Sequence, residues 1–421
     1  MVIVFVLVGL LALAAVAGLY WYVWRRLVRD TTSGSGLARR AGTVVFAAGP
    51  VLMIAAVAAE RAGAPFRLQQ ALAWPGFLWM ALSIYLLLGV VAGEVVRPLL
   101  RRVMERRAAP SVAVPHPAPV PHPESVPSGA AAPQESSPAE PPRPVTTPSR
   151  RLFVSRAVGG AAAAVALGTV GYGTYGVLRG PRVKRVTVPL AKLPRSAHGY
   201  RIAVVSDIHL GPTLGRDFCR RVVDTINATQ PDLIAVVGDL VDGSVKDLGP
   251  AAAPLARLRA RHGSYFVTGN HEYYSGAAQW VREVRELGLH PLENARTEMA
   301  GFDLAGVNDV AGESEGHGPD FGRALGDRDT ARAVVLLAHQ PVQIHDAVKH
   351  GVDLQLSGHT HGGQLWPGNY IAELANPTVA GLERYGDTQL YVSRGAGAWG
   401  PPTRVDAPSD ITVVELASLQ A

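Results

Sequence analysis

Cysteine is nearly absent from this 421-residue sequence, in which Cys219 is the single example. One cysteine excludes an internal disulfide framework and a metal cluster held by several thiolates. A metal site in this chain would therefore use carboxylate, imidazole or amide ligands. The cysteine count does not fix the compartment, so localisation has to be read from other features.

The C-terminal part of the chain also lacks an excess of basic residues. The net charge of the whole chain is +6, yet residues 181–421 carry 23 Lys and Arg against 27 Asp and Glu. A nucleic-acid-binding domain would need a basic patch, so we expect no nucleic acid as a partner. Residues 1–180 carry 17 Lys and Arg against 7 Asp and Glu. The basic excess thus belongs to the apolar N-terminal part, where such residues set membrane orientation.

Three apolar runs lie near the start of the chain, at Val2–Trp24, roughly 41–59 and roughly 71–93. Each is close to the ~20 residues that cross a bilayer as a helix. Aromatic residues end the first run, and arginine pairs follow the first and the third. Buried helices of a soluble domain fit these lengths and flanks poorly. A cleaved signal peptide is the alternative for the first run, but no charged region precedes it. We predict a membrane region over residues 1–107 with three transmembrane helices.

Two further segments follow. Residues 108–148 are rich in Pro and Ala and cannot bury a core, so we predict a disordered linker. Residues 149–180 open with Ser-Arg-Arg-Leu-Phe and continue into an apolar run over 157–178. This opening resembles a twin-arginine export signal, although Val154 and Ser155 stand where Leu and Lys are usual. It implies a fourth transmembrane segment and the twin-arginine export machinery as a partner. The alternative is an arginine pair that simply anchors the segment in the cytoplasm.

Residues 181–421 have the pattern of an α/β domain. Short apolar runs predict strands at 202–205, 233–237, 265–267, 334–337, 354–356, 389–393 and 411–416. Helix-like stretches lie between several of them, at 216–228, 251–261, 279–287 and 342–349. This alternation predicts βαβ units and mainly parallel pairing at the core.

Metal-ligand residue types directly follow five of these strands. In open α/β sheets, ligands bind outside the carboxyl ends of the strands. Each polar cluster alone has an ordinary explanation as a turn, a helix cap or a packed histidine, but five clusters delivered to one edge should converge. They are Asp207-Ile208-His209, Gly238-Asp239, Gly269-Asn270-His271, His339 and Gly358-His359-Thr360-His361.

The ligand types indicate the metal. Two carboxylates, four histidines and one asparagine, without a thiolate, suit Mn, Fe, Zn or Co. Seven ligands are too many for one ion. They suit two divalent ions about 3.5–4 Å apart that share a bridging ligand.

With these motifs in place, residues 183–418 resemble the calcineurin-like metallophosphoesterase superfamily, and no ligand position of its signature is missing. Surrounding stretches such as SDIHLG and LSGHTHGGQ look like its membrane-linked bacterial branch. The resemblance implies a metallophosphoesterase-type four-layer α-β-β-α sandwich over residues 181–421, preceded by the α-helical transmembrane region.

The resemblance also implies a role for each motif residue. His271 would not bind metal but would face the phosphate, where its pKa range suits charge stabilisation or protonation of the leaving oxygen. The implied ligands are Asp207, His209 and His361 for the first metal, Asn270, His339 and His359 for the second, and Asp239 as the bridge.

Other residues near these motifs are ambiguous. Asp242 and Glu272 either orient ligand histidines or are exposed charges without such a role. Tyr273, Tyr274 and Trp366 either line a substrate groove or pack at its rim.

The distribution of arginines predicts the topology. The segments after the first and third apolar runs hold five arginines each, whereas the segment after the second has only Arg61 and Arg67. The positive-inside rule then places the second loop outside the cell. The linker would be cytoplasmic, and the fourth segment would return the chain to the outside. Arg182, Lys184 and Arg185 lie on the wrong side in this scheme, and a cytoplasmic domain is the alternative.

We therefore expect a multi-pass membrane protein that hydrolyses phosphate mono- or diesters by attack of a hydroxide bridging two metal ions, with its catalytic domain outside the cytoplasm. Anchoring suggests a lipid-linked, nucleotide-sugar or wall-polymer substrate. One alternative is a membrane sensor or scaffold that binds a phosphorylated ligand without turnover. A transporter formed by the N-terminal spans is weaker, because Glu60 and Glu94 lie only at segment edges.

Overall fold

The computed structural model describes residues 2–107 and 150–420. The segment predicted as a linker, 108–148, lies outside the described residues. The chain divides into two compact units, one of residues 1–42 and 88–163 and the other of residues 43–87 and 164–421.

The N-terminal region is helical. Its helices are α1 (Val2–Trp24), α2 (Leu37–Arg61), α3 (Phe66–Arg107) and α4 (Arg150–Leu178), with a short π-helical stretch at Arg25–Arg29 after α1. Among the described residues, α2, α4 and the stretch Phe66–Met104 of α3 are long and apolar enough to cross a membrane. The second, third and fourth predicted spans lie within these helices. The first coincides with α1, and its crossing remains a prediction.

Helices α2 and α3 approach each other closely through small residues. Gly49 lies against the ring of Trp79, and Gly76 lies against the carbonyl of Leu52. A side chain at either glycine would collide with these atoms. Small residues that allow close approach are typical of helix pairs in membranes, so the packing agrees with the hydropathy of both helices.

The C-terminal domain contains two six-stranded sheets. The first has the order β1, β12, β2, β3, β4, β5 and the second has the order β10, β11, β9, β8, β7, β6. The strands are β1 (Arg182–Leu190), β2 (Tyr200–Val205), β3 (Leu233–Val237), β4 (Ser264–Val267), β5 (His290–Pro291), β6 (Ala295–Glu298), β7 (Phe302–Gly306), β8 (Ala333–Leu337), β9 (Leu354–Ser357), β10 (Gly381–Tyr385), β11 (Thr388–Val392) and β12 (Asp410–Ser418).

Parallel pairing joins the strands that precede the polar motifs. Strands β2, β3 and β4 are parallel neighbours in the first sheet, and β8 and β9 are parallel neighbours in the second. Every residue of β3 and β8 is buried, which explains why both read as continuous apolar runs rather than alternating ones. The expectation of a mainly parallel core is therefore confirmed.

Apolar clusters lie on both faces of each sheet. One cluster contains side chains of both sheets, including Val204 and Ala235 from the first and Leu304 and Val335 from the second. Helices cover the other faces, with α5 and α8 against the first sheet and α9 and α10 against the second. The helices of the domain are α5 (Arg216–Ala228), α6 (Val245–Ala252), α7 (Asn270–Ser275), α8 (Ala277–Glu286), α9 (Phe321–Leu325), α10 (Ile344–Lys349) and α11 (Gly368–Ala375).

One predicted helix is displaced. The expectation for 251–261 was wrong in its bounds, because α6 begins at Val245 and is followed by a 3-10 turn at Ala253–Arg257. Ser244 caps α6 by accepting a hydrogen bond from the backbone N–H of Asp247, which fixes the earlier start. Pro254 lies at the beginning of the 3-10 turn, where its missing N–H cannot continue the α-helical pattern.

Candidate metal centre

The structure brings the five polar motifs together beyond the ends of β2, β3, β4, β8 and β9. Three groups of three metal-ligand side chains form, each with its ligand atoms within 4.8 Å of one another, and one of them is His209, Asp242 and His271. The first cluster is Asp207, His209 and His361, and the second cluster is Asp239, His339 and His359.

Asn270 and Asp239 complete the arrangement. The side-chain oxygen of Asn270 lies 3.0 Å from Nδ1 of His359, which places it beside the second cluster. Asp239 lies between the clusters, because its Oδ2 is 3.1 Å from Nε2 of His339 and 3.8 Å from Nε2 of His209. All seven residues proposed as ligands from the sequence therefore meet in one place.

His339 shows that this donor set fits a cation. Its Nδ1 lies 2.9 Å from the carbonyl oxygen of Val237, so Nδ1 carries the hydrogen and donates it. Its Nε2 is buried and has no hydrogen-bond partner among the described residues, although the Asp239 carboxylate lies close by. A histidine nitrogen that faces a carboxylate in a buried site needs positive charge between them, which a proton supplies here and a bound cation can replace.

His209 has the same arrangement in the first cluster. Its Nδ1 donates to Oδ1 of Asp242 at 2.9 Å. Its Nε2 is then left to face Nε2 of His361 at 3.0 Å and the carboxylate of Asp207 at 4.0 Å. A carboxylate that holds the far nitrogen of a ligand histidine is a common support for metal sites. Asp242 therefore has the orienting role that the sequence left open.

The backbone of the ligand loops is strained in a way that serves the site. Positive φ angles, which non-glycine residues rarely adopt, occur at five ligand residues. A Cβ atom at Gly358 would collide with the Asp207 carboxylate, so the loop can approach that ligand only with glycine there. The five residues are Asp207, His209, Asp239, His359 and His361, with φ between 48° and 73°.

The electrostatics favour cations. Burial lowers the pKa values of His359 and His361 to about 4, so both imidazoles keep their lone pairs at neutral pH. Burial opposes ionisation of Asp239, but the neighbouring His339 outweighs it and lowers the pKa of Asp239 to about 2. Burial likewise opposes protonation of His339, yet the Asp239 charge raises the pKa of His339 well above its ordinary value. Carboxylates and lone pairs thus concentrate negative potential in the centre.

His271 is positioned by a different set of contacts. Its Nδ1 lies 2.7 Å from Oδ1 of Asp242, and its backbone N–H donates to Oδ1 of Asp239 at 2.9 Å. Burial opposes protonation, but the hydrogen bond that His271 donates to Asp242 raises the pKa of His271 to about 9. The ring is therefore cationic at neutral pH, as a group that faces a phosphate would be.

Glu272 neither orients a ligand histidine nor is exposed, which are the two roles that the sequence suggested for it. Its carboxylate is buried and accepts hydrogen bonds from the backbone N–H groups of Asp239, Leu240 and Gly269. Burial, followed by the charge of Asp239, raises its pKa to about 7. Glu272 therefore holds two ligand loops together through their backbone, and no contact joins it to a ligand histidine among the described residues.

Arg404 was missed in the sequence analysis. It is buried, its Nη2 lies 3.1 Å from Nδ1 of His361, and its Nη1 donates to the His361 carbonyl at 2.9 Å. Further bonds join it to the carbonyls of Gly397 and Ala407. It lies 43 residues beyond His361 in a stretch without a recognisable motif, so no local signal marks it.

Other neighbours of the centre are aromatic or come from the membrane region. The rings of Tyr274 and Trp399 lie 5.4 and 5.6 Å from the His271 ring. The charges of Asp242 and His271 act electrostatically on the carboxyl group of Glu60, near the end of α2. From the sequence, Glu60 is only an edge residue of an apolar run, and its position became visible only in three dimensions.

Parallel strands here deliver a buried set of imidazoles and carboxylates to one edge, which is the arrangement of a candidate metal site. Residues 200–363 match the family model for calcineurin-like phosphoesterases. A protein of Helicobacter pylori strain J99 named "Uncharacterized metallophosphoesterase" is 38% identical over 256 residues, which cover 59% of this chain and 68% of that protein. The chain belongs to the calcineurin-like metallophosphoesterase family.

Two further relatives show how widely the domain occurs. A zebrafish "Transmembrane protein with metallophosphoesterase domain" is 39% identical over 259 residues, which cover 58% of this chain but only 59% of the relative. An "Uncharacterized metallophosphoesterase" of Aquifex aeolicus is 37% identical over 240 residues, which cover 56% of this chain and 91% of the relative. Because bacteria and animals are both represented, the similarity does not single out a bacterial branch. The zebrafish protein's name and the three apolar helices agree in indicating membrane association.

Proposed function

We propose that the protein is a membrane-anchored phosphoesterase that holds two divalent cations and hydrolyses phosphate mono- or diesters. One observation carries the proposal: two ligand clusters meet at Asp239, and the buried Nε2 of His339 faces that carboxylate without a hydrogen-bond partner among the described residues. The family membership and the apolar faces on both sides of each sheet also support a four-layer α-β-β-α domain over residues 181–421.

The donor set assigns the ligands. Asp207, His209 and His361 would hold one cation, and His339, His359 and Asn270 would hold the other, with Asp239 shared between them. The absence of thiolate favours Mn, Fe, Zn or Co. When bound, such a pair of cations supplies Lewis-acid chemistry, which activates water and neutralises charge on a phosphate.

The side chains around the cations position the substrate. Asp242 fixes His271 through Nδ1, so Nε2 is the nitrogen left to meet a phosphate or a leaving oxygen. A cationic ring at that place stabilises the additional negative charge of the transition state. The same ring can give its Nε2 proton to the leaving oxygen. Tyr274 and Trp399 flank this ring and would contact the ester group.

Two ligand substitutions test the mechanism. In the purified full chain, we expect Asp239→Ala and His359→Ala to lower hydrolysis of bis(p-nitrophenyl) phosphate by at least about 10³-fold, since each removes a metal ligand. His345→Ala is the matched control, because this histidine is exposed and belongs to neither cluster. Full activity in both ligand variants would refute the mechanism. Two bound metals in the parent chain without turnover of any phosphoester would favour the sensor or scaffold instead.

We also propose that the domain faces the outside of the cell. Phe66, at the start of α3, packs against the apolar cluster of the first sheet. This contact supports a common side for the domain and the short α2–α3 connection, which the positive-inside rule assigns to the outside because it is poor in arginine.

The arginine pair at the start of α4 provides the test of export. If the twin-arginine machinery moves the folded domain, Arg150→Lys with Arg151→Lys should leave it in the cytoplasm, protected from protease added to intact cells. Arg101→Lys with Arg102→Lys is the matched control, since that pair also flanks a span. Unchanged protease accessibility of the 150/151 variant would rule out the twin-arginine interpretation.

A further inference from the structure

Helix α11 lies close to the metal centre in sequence and exposes an apolar face. Gly368, where it begins, follows the ligand His361 by seven residues. At 100° per residue, Tyr370, Ile371 and Leu374 share one side of the helix, and Asn369 and Glu373 share the other. The three apolar side chains are 59%, 70% and 88% exposed. None of the eight residues of α11 is buried against the described part of the chain, so the apolar face needs another partner.

The base of α11 is tied to the predicted spans. The hydroxyl of Tyr85 donates to the carbonyl of Trp366 at 3.0 Å, and Tyr85 lies within the third predicted span, 71–93. The hydroxyl of Thr174, in the fourth predicted span, lies 2.7 Å from that of Thr403. The N–H of Trp366 donates to the carbonyl of Val405, which joins the two loops. Two loops of the domain therefore contact two of the predicted spans, and α11 begins two residues after one of these contacts.

Aromatic side chains continue this surface towards the centre. The backbone N–H of Trp399 donates to the side-chain oxygen of Gln364, and the Gln364 amide donates back to the Trp399 carbonyl. Gln364 precedes Trp366 by two residues. The Trp399 ring is 54% exposed and contacts His271. Two exposed tryptophans, Trp366 and Trp399, thus lie along the connection through Gln364 that leads from α11 to His271.

We propose that α11 lies in the interface of the bilayer that α2, α3 and α4 span, and that the metal centre acts on phosphoesters of amphiphiles held in that bilayer. A helix with one apolar and one polar face is the form that lies in a membrane interface. The bilayer is the partner that the contacts favour, because they hold the loops at the base of α11 against apolar helices. The substrate half of this proposal rests on the proposed phosphoesterase function, whereas the position of α11 does not.

The position of α11 is tested by a fluorophore. The full chain would be reconstituted in phosphatidylcholine–phosphatidylglycerol vesicles, with an environment-sensitive maleimide dye on Leu374→Cys, Glu373→Cys or Glu286→Cys. The native Cys219 is buried, and the parent chain gives its background. Spin labels on the lipid acyl chains should quench the dye at position 374 at least about twofold more than at 373, with the weakest quenching at position 286. Equal quenching at 374 and 286 would overturn the proposal. The proposal would also be overturned if the dye at position 374 is shielded from water only when a vesicle holds several protein molecules. A second copy of the chain, and not the bilayer, would then cover α11.

The substrate class is tested by a pair of esters with the same reacting group. Leu374→Asp should lower hydrolysis of hexadecyl p-nitrophenyl phosphate in vesicles by about tenfold and leave bis(p-nitrophenyl) phosphate unchanged, because only the first is delivered through the bilayer. Glu373→Asp is the matched control. Equal effects of Leu374→Asp on the two esters would overturn the substrate half. A parent chain inactive on both esters would instead refute the proposed function and leave the fluorescence result intact.

Discussion

The two ligand clusters of the metal centre are held in different ways. In the first cluster, ionisable side chains orient the histidines, with Asp242 on His209 and Arg404 on His361. In the second cluster, neutral groups do so, because the backbone carbonyl of Val237 holds His339 and the amide of Asn270 contacts His359. The first cluster can therefore be weakened by substitutions that leave its ligands in place. In the second cluster, the support of His339 is the backbone of β3, which no side-chain substitution removes.

Asp239 is the residue that joins the two clusters, so its substitution should have the largest effect. We expect Asp239→Asn to lower the metal content of both clusters and activity by about 10³-fold or more, since the charge shared by both ions is lost. Asp207→Asn should remove metal from the first cluster alone and leave about one ion per chain. Metal analysis of the purified variants measures this. Two ions per chain in Asp239→Asn would show that the clusters are independent.

Asp242 orients the ligand His209 without being a proposed metal ligand itself. Asp242→Asn should weaken the first-cluster ion by about 10- to 100-fold, because the support of His209 becomes a neutral amide. The second-cluster ion should bind as before, since its histidines have other supports. Competition with a metal chelator, followed for each ion, checks the prediction. Equal loss of both ions would mean that the two kinds of support are not separable.

Arg404 should have the smallest effect on activity and a clear effect on stability. Arg404→Met leaves the carbonyls of Gly397 and Ala407 without their donor, which should cost about 2–4 kcal/mol in the free energy of unfolding. The activity of each molecule that holds its metal ions should fall only a few-fold, since the ligands Asp207 and His209 remain. Thermal unfolding and steady-state rates measure the two effects. Arg404→Lys is the comparison, and an unchanged melting temperature in Arg404→Met would contradict the assignment.

The sequence allowed the centre to be predicted better than its surroundings. Asp207, Asp239 and His339 each follow a buried strand, and the topology of a parallel sheet is enough to bring such residues together. Arg404 reaches the centre through tertiary packing of a distant segment, so no local pattern identifies it. Strand pairing was only partly predictable, because β5 has two residues and gives no periodic signal.

Helix α11 is a second feature that the sequence alone does not reveal. Its eight residues are too few for a convincing helical period, and its apolar residues resemble those of a packed helix. Only the structure shows that these side chains are exposed and that the neighbouring Trp366 contacts Tyr85 in α3. Burial distinguishes a core helix from a surface one, and burial is a property of the whole chain.

The positive φ angles of the ligand residues have a consequence for the evolution of the centre. Five ligand positions hold a conformation that glycine adopts freely and other residues do not. Glycine at such a position relieves strain, so His359→Gly should give a more stable protein than His359→Ala by about 1 kcal/mol. Selection for stability alone would therefore favour glycine at these five positions. The histidines and aspartates at these positions therefore provide ligand chemistry at the expense of stability.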